Sequence, residues 1–321
     1  MSIYLGIDTS AYTTSLALVD EEGNIIRDER ILLSVPKGKR GLRQSEAFFQ
    51  HIKNLPLLFE KTRGVIPGLK AIAVSCKPRP EENSYMPVFK AGESAAGILS
   101  LSADIPLYMV SHQEGHVMAG IYNNPVLLDK KEFLAVHFSG GTSEVLHIKS
   151  GVSSFFAIEE CLSGLDIHAG QLVDRVGVAM GLPFPAGREM EKLALKVEGD
   201  VDIFIPSSVN RRGFSFSGAE TMALRFLAEG IPKEKVAYAV LKVIANTLEK
   251  VLLMISEERK VRDVLLVGGV MSNSLIKARL IKRLEHPAVG LKLYFAYPHL
   301  STDNAAGVAL LAREIHRKNE K

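Results

Sequence analysis

Hydrophobic and polar positions in the first third of the chain predict strands joined by short turns, followed by helices. Apolar runs at 3–8, 13–20 and 25–33 predict three strands, and "EEGN" forms the turn between the last two. Apolar residues spaced by three and four positions predict a helix from Ser45 to Lys61, in which Pro56 is expected to introduce a kink or a division. The segments "LKAIAVSC" and "IPLYMVS" predict two more strands, with the small-residue helix "AGESAAGILSLSA" between them.

A similar order of elements begins again near residue 132. "EFLAVHFSGGTSEVLHI" predicts two strands around a Gly-Gly turn, and "SGVSSFFAIEEC" continues the sheet. Further helices are predicted at about 166–180, 187–195, 218–229 and 233–258. The chain then continues with the strand "RDVLLVGGV", the helix "SNSLIKARLIKRL", the strand "LKLYFAY" and the closing helix "NAAGVALLAREIHRKN". Two rounds of this order predict a duplicated α/β unit.

Composition narrows the class of protein without identifying it. With 321 residues the chain is long enough for two domains, and its net charge of +3 permits an RNA partner without requiring one. The basic segments "KGKRGLR" (37–43) and "NRR" (210–212) are interpreted as solvated loops. Two cysteines exclude a disulfide framework, and no apolar run is long enough to cross a bilayer. A cytoplasmic protein without a membrane partner is therefore predicted.

Three small-residue turns follow apolar strands and are candidates for phosphate binding. They are "DTSAYTT" (8–14), "SGGTS" (139–143) and "VGGVMSN" (267–273). Glycine lets a ligand approach the backbone, while hydroxyl and backbone N–H groups donate to phosphate oxygens. None of the three matches a Walker A or a Gly-x-Gly-x-x-Gly pattern, so a P-loop enzyme and a Rossmann dehydrogenase are not supported. The pattern favours a nucleotide held between two domains.

A histidine pair occurs in "HQEGH", where His112 and His116 lie one helical turn apart. On spacing alone the pair is either a metal site or two polar residues on a partly buried helix face. The segment is not the His-Glu-x-x-His of a metalloprotease, because Glu114 is displaced by one position and is expected at the surface.

Seven segments, in this order, resemble the TsaD family, the catalytic subunit of tRNA threonylcarbamoyladenosine synthesis within the ASKHA superfamily. They are "GIDTS", "HQEGH", "SGGTSEVL", "AGQLVDRVGVAMGLPFPAG", "GFSFSGAET", "VGGVMSN" and "STDNAAGVA". The resemblance implies an α/β, duplicated actin-like (RNase H-like) fold with two lobes and a nucleotide cleft between them. The expected N-terminal lobe is 1–108, joined by the closing helix within 303–321. The expected C-terminal lobe is 109–302, with a helical insertion.

The resemblance also implies roles for particular residues. His112, His116 and Asp303 would bind one divalent metal, iron or zinc, since imidazole and carboxylate suit both. Asp8 would face the phosphate or a metal-bound water and is the candidate catalytic residue. The nucleotide ligand would be ATP, AMP or an acyl-adenylate.

The implied nucleotide contacts are divided among the phosphate, the sugar and the base. Ser139, Gly140, Gly141 and Thr142 would lie against the phosphate and acyl portion. Asp174 would accept hydrogen bonds from the ribose, Gly187 would let the backbone approach the sugar or base, and Asn273 would contact the adenosine.

The activity implied by the resemblance is metal-assisted transfer of a threonylcarbamoyl group from its adenylate to N6 of adenosine 37 in tRNA. The implied partners are tRNA and either another subunit of the same modification machinery or a second copy of the chain.

The chain departs from the family pattern near the substrate. Ala11, Tyr12 and Thr13 replace a cysteine and two acidic residues, and "SGGTS" lacks the usual histidine. Lys77 and Arg79 lie in a segment where the family has glycines. These changes leave two alternatives: a paralogue that carbamoylates another acceptor, or an impaired pseudoenzyme that acts as a partner subunit. A small-molecule kinase is disfavoured by the histidine-rich metal set.

Overall fold

The computed structural model describes residues 2–10, 12–35, 42–64, 66–151, 154–197 and 201–320. Its strands are β1 (Ile3–Asp8), β2 (Thr13–Asp20), β3 (Ile25–Leu32), β4 (Leu69–Lys77), β5 (Leu107–Ser111), β6 (Glu132–Phe138), β7 (Ser143–Ser150), β8 (Phe156–Ser163), β9 (Ser208–Asn210), β10 (Gly213–Ser215), β11 (Asp263–Val267) and β12 (Lys292–Phe295). Its helices are α1 (Gln44–Glu60), α2 (Phe89–Ala103), α3 (His112–Ile121), α4 (Ala169–Ala179), α5 (Gly187–Ala194), α6 (Ser217–Ala228), α7 (Lys233–Arg259), α8 (Ser274–Leu284) and α9 (Ala306–Asn319).

The chain divides into two compact units. The first unit contains 1–123, 150–157 and 299–321, and the second contains 124–149 and 158–298. The expected boundary between the lobes lies at 108/109, whereas the first segment of unit 1 extends to residue 123. This segment includes α3, which packs with α9 in the same unit.

The two five-stranded sheets have the same topology. The first has the order β3-β2-β1-β4-β5, in which β1 is antiparallel to β2 and parallel to β4. The second has the order β12-β11-β6-β7-β8, in which β6 is antiparallel to β7 and parallel to β11. The central strands β1 and β6 therefore occupy equivalent positions, which confirms the predicted duplication of an α/β unit.

The first sheet is covered by helices that bury its central strands. Every residue of β1 is buried, as expected for a central strand packed on both faces. Apolar residues of α1 and α2 pack in one core cluster with β1, β2 and β4, and α9 also packs against β1 and β4. Pro56 lies inside α1, which continues to Glu60 without the predicted division.

The core of the second unit is centred on α7, whose long buried face packs with α5, α6 and α8. No helix of the described ranges is both long enough and apolar enough to pass through a bilayer.

Candidate functional site

The histidine pair is positioned by the fixed start of α3. Ser111 is the N-cap residue, and its side chain accepts a hydrogen bond from Glu114 N. The Glu114 carboxylate accepts in return from Ser111 N over 2.8 Å, which completes a capping box. Glu114 is therefore a buried capping residue, so the prediction of a surface position is wrong. The cap places His112 at the first helical position and His116 one turn later.

His112, His116 and Asp303 bring their ligand atoms together. His112 Nε2 lies 3.0 Å from His116 Nε2. Asp303 Oδ1 lies 3.4 Å from His116 Nε2 and 3.7 Å from His112 Nε2. Two ligands bound at about 2.1 Å to one ion lie roughly 3 to 4 Å apart, so these three atoms have the spacing of a metal site.

Asp303 reaches the histidines because α9 packs closely on α3. A Cβ at Gly307 would overlap the Gly115 carbonyl oxygen, so glycine at 307 permits the close approach of the two helices. Asn304 organises the preceding loop, since its amide nitrogen donates to Leu300 O and Thr302 O.

Arg30 of β3 also holds the loop that contains Asp303. Its guanidinium donates to Thr302 Oγ1 over 2.8 Å and to His299 O over 2.9 Å. Asp28 pairs with the same guanidinium at 2.5 Å and orients it. No feature of the sequence indicated this role, because Arg30 occurs in an ordinary polar stretch of a strand.

Asp8 lies behind His112 and is fully buried. Its carboxylate accepts from Ser10 N over 2.8 Å and from Ser75 Oγ over 2.7 Å, and it lies 2.7 Å from His112 Nδ1. This geometry places the proton of a neutral His112 on Nδ1 and leaves Nε2 available to a metal. Asp8 is thus buried against His112 and is positioned to orient its ring, while its predicted role towards a phosphate or a metal-bound water stays a prediction.

The same contacts determine the charges at this site. Burial alone would raise the pKa of Asp8, but the charge of His112 and the surrounding hydrogen bonds hold it well below its usual range. Burial alone would lower the pKa of His112, but Asp8 and Asp303 raise it to about 9. Without a metal, Asp8 and Asp303 therefore favour the charged form of His112.

The turn at 139–142 in the second unit satisfies its own hydrogen bonds. Ser139 Oγ accepts from Gly141 N over 3.2 Å and from Thr142 N over 3.0 Å. Ser139 N donates to Thr142 O over 2.8 Å, which closes the turn. The hydroxyl therefore uses two of the N–H groups that the sequence assigned to a phosphate.

The two glycines of this turn are not required by packing. No described atom lies within 4 Å of a Cβ built at Gly140 or Gly141, and neither residue has a positive φ. By contrast, a Cβ at Gly170, in the first turn of α4, would clash with Gly140 Cα at 2.7 Å. The N-terminus of α4 therefore packs against the backbone of Gly140. The space that a side chain at Gly140 or Gly141 would occupy remains open.

The other predicted nucleotide residues have structural contacts of their own. Asp174 Oδ1 accepts from Ala186 N over 2.7 Å, immediately before Gly187, and burial raises the pKa of Asp174. Asn273 is the N-cap residue of α8, and its Oδ1 accepts from Leu275 N and Ile276 N, both over 3.1 Å. In each side chain, one oxygen atom therefore accepts hydrogen bonds from the protein backbone.

Several departures from the family pattern can be located. Tyr12 is 44 % exposed and Thr13 is buried at the start of β2, whereas Ala11 lies outside the described residues. Lys77 Nζ donates to Pro80 O over 2.8 Å, and this loop contacts α3 through Gln113 N and Pro78 O. Of the basic segment 37–43, residues 37–41 lie outside the described ranges.

Comparison with known proteins gives a consistent result. The family profile described as "TsaD: tRNA N6-adenosine threonylcarbamoyltransferase" matches residues 46–310. The chain is 30 % identical over 324 residues to the tRNA N6-adenosine threonylcarbamoyltransferase of Thermus thermophilus, covering 98 % of this chain and 93 % of the relative. It is also 30 % identical over 318 residues to the enzyme of the same name from Sulfurihydrogenibium sp., covering 96 % of this chain and 88 % of the relative.

A solved structure supports the fold alone. The (R)-2-hydroxyglutaryl-CoA dehydratase component A of Acidaminococcus fermentans has a TM-score of 0.58 and 15 % identity, covering 99 % of this chain and all (100 %) of that chain. The similarity is consistent with the predicted two-lobed ASKHA fold.

Proposed function

Because the chain belongs to the TsaD family of tRNA N6-adenosine threonylcarbamoyltransferases, we propose that it transfers a threonylcarbamoyl group to N6 of adenosine 37 in tRNA. The observation that carries this proposal is the match to the family over 46–310, together with the convergence of His112, His116 and Asp303. The tRNA acceptor also fits the cytoplasmic location predicted from the sequence. A second subunit of the machinery, or a second copy of the chain, is proposed as its protein partner.

The three converging residues are proposed to hold one divalent metal, iron or zinc. Two imidazole nitrogens and a carboxylate oxygen suit either ion and leave coordination positions open for a substrate. When bound, the metal would supply Lewis acidity and a fixed point for an anionic substrate group.

Asp8 is proposed as a positioning residue for His112. Its hydrogen bond to Nδ1 fixes the orientation of the ring, and its burial keeps the carboxylate away from solvent. Arg30 positions Asp303 in a similar way, because it donates hydrogen bonds to the loop at His299 and at Thr302. The chain thus holds all three ligands before any substrate arrives, which lowers the cost of ordering them.

The adenylate is proposed to bind at the turns of the second unit. The open side of Gly140 and Gly141 allows a phosphate to approach the backbone, and rotation of the Ser139 hydroxyl would release two N–H donors to it. In the transfer, N6 of the adenosine forms a bond to the carbamoyl carbon and loses one proton to solvent, the bond from that carbon to the phosphate oxygen breaks, and AMP leaves. The amine is a weak nucleophile, so orientation of the two substrates and stabilisation of charge supply most of the acceleration.

The test is a single-turnover reaction of the purified chain with threonylcarbamoyl-adenylate and unmodified tRNA. Modified adenosine is measured after digestion of the tRNA to nucleosides. We expect product with the unaltered chain and a loss of at least about 100-fold with Asp303→Ala. Hydrolysis of the adenylate without any modified tRNA, also in the presence of the partner subunits, would contradict the proposed acceptor.

A further inference from the structure

The second unit carries a groove between α7 and α8 that none of the proposed nucleotide residues lines. Its volume is about 490 Å³. Tyr238 and Lys242 line it from α7, and Arg279, Lys282 and Arg283 line it from α8. Its side chains therefore come from two helices that are packed together in the core of one unit.

The charged side chains that line this groove from α8 are all basic. α8 carries four basic side chains and no acidic one. Three of them, Arg279, Lys282 and Arg283, line the groove, whereas Lys277 lies over the Phe295 ring. At 1.5 Å per residue the three groove residues extend over about 6 Å of helix.

The nearest carboxylate neutralises only part of this charge. Glu249 of α7 is buried and accepts from Arg279 over 3.2 Å and from Arg283 over 2.8 Å. Within the described ranges, no carboxylate lies within 4.0 Å of the ammonium of Lys242 or Lys282, and Lys242 lies over the Tyr238 ring at 5.5 Å. Four cations around one shared carboxylate leave the groove with a positive excess.

The Glu249 contacts also order the arginines without burying them. The Arg279 and Arg283 side chains remain 35 % and 58 % exposed. A buried carboxylate that holds two guanidinium groups fixes their positions and reduces the entropy lost when they bind an anion. The groove thus presents two ion-paired arginines beside two lysines that have no carboxylate partner among the described residues, and phosphate groups are ligands for both side-chain types.

We propose that the α7–α8 groove binds backbone phosphates of the tRNA. This inference rests on the proposed function, since that function supplies an RNA partner. Contacts of this kind position the RNA and add affinity that falls with salt, without reading its sequence. The electrostatic attraction would act on any tRNA and would leave the choice of adenosine to the transfer site.

The lysines provide the test, because replacing either arginine would remove one of the two partners of the buried Glu249. In Lys242→Ala/Lys282→Ala, we expect the affinity for tRNA to fall about tenfold at low salt and the slope of log K against log salt to become shallower by about 1 to 2. Binding is measured by fluorescence titration of labelled unmodified tRNA at several salt concentrations. The matched control is Lys53→Ala/Lys70→Ala, which removes the same charge from exposed positions of the first unit.

The outcomes separate this inference from the proposed function. Equal affinity and an equal salt slope in the groove variant and the control variant would overturn the inference, as would a lack of tRNA binding by the unaltered chain. A selective loss of affinity in the groove variant supports it. If the unaltered chain binds tRNA through the groove and forms no modified adenosine, the proposed function fails while the groove assignment stands.

Discussion

The proposed metal ligands of the first unit and the glycine turn of the second unit are built in different ways. His112 and His116 come from α3, whereas Asp303 comes from the loop before α9 and is held there by Arg30 of β3. The turn at 139–142 consists of consecutive residues that bond to one another. The first site thus depends on side chains from distant parts of the chain. The second is closed by hydrogen bonds among its own residues, with the start of α4 packed against it.

The two regions also differ in how they use buried polar groups. Asp8 is fully buried and bonded to three partners, so its removal leaves donors unpaired. Gly140 and Gly141 have open space beside them. We therefore expect substitutions in the first region to change both the order of the site and the free energy of unfolding. Substitutions in the glycine turn should change ligand binding alone.

The largest effect is expected from Asp303→Ala. Loss of one of three ligands should weaken binding of the divalent metal by at least about 100-fold, because two imidazoles alone do not complete the site. Metal content after dialysis and competition with a chromogenic chelator measure this. His286→Ala, which removes an exposed histidine elsewhere, is the control. Full metal occupancy in the Asp303 variant would remove the carboxylate from the proposed ligand set.

A second large effect concerns His51, a fully buried residue of α1 whose Nδ1 lies 2.9 Å from Thr14 Oγ1. Burial lowers the pKa of His51 to about 4, against the opposing charge of Asp8. The unfolded chain binds this proton near pH 6.5, so the stability contributed by neutral His51 is present above that pH. It is lost as the pH falls towards 4, and amounts to about 3 kcal/mol.

Urea unfolding of the chain and of His51→Gln at several pH values between 7 and 4.5 checks the prediction for His51. The free energy of unfolding should fall less steeply with decreasing pH in His51→Gln. His286→Gln, which replaces an exposed histidine of the second unit, is measured as the control. Identical slopes for His51→Gln and the unaltered chain would show that His51 protonates without cost in the folded state.

An intermediate effect is expected from Asp8→Asn. The amide preserves the volume but removes the charge beside His112, so we expect the metal affinity to fall about 10- to 100-fold. Isothermal titration with zinc measures the change, and circular dichroism tests that the fold is retained. Asp129→Asn, at an exposed position, should bind zinc as the unaltered chain does. An unchanged affinity in Asp8→Asn would limit Asp8 to a structural role.

Two glycine substitutions compare the two regions directly. One of them, Gly140→Ala, is expected to have the smallest effect on the free energy of unfolding. Gly307→Ala forces a methyl group against the Gly115 carbonyl and should lower the free energy of unfolding by about 1 to 3 kcal/mol or more. Gly140→Ala should change it by less than about 0.5 kcal/mol and weaken AMP binding instead. Thermal unfolding with and without AMP measures both. An equal loss of stability in the two variants would contradict the difference drawn here.

Much of the fold could be predicted because it is encoded locally. Alternating and helical patterns located the strands and helices near their observed bounds, including α1, α5 and α7. Pro56 was the exception: the predicted division of the helix does not occur, since α1 continues through Pro56 to Glu60.

The element order, the repeated unit and the residue types available for metal and phosphate binding could be predicted from the sequence, because these follow from periodicity and from side-chain chemistry. The tertiary structure decided that Asp8 supports His112, that Glu114 is a buried cap, and that Arg30 holds the Asp303 loop. It also decided which glycines are packed and which are open. These features depend on which distant residues meet when β1, β3, α3 and α9 pack together, and no local pattern in the chain specifies those contacts.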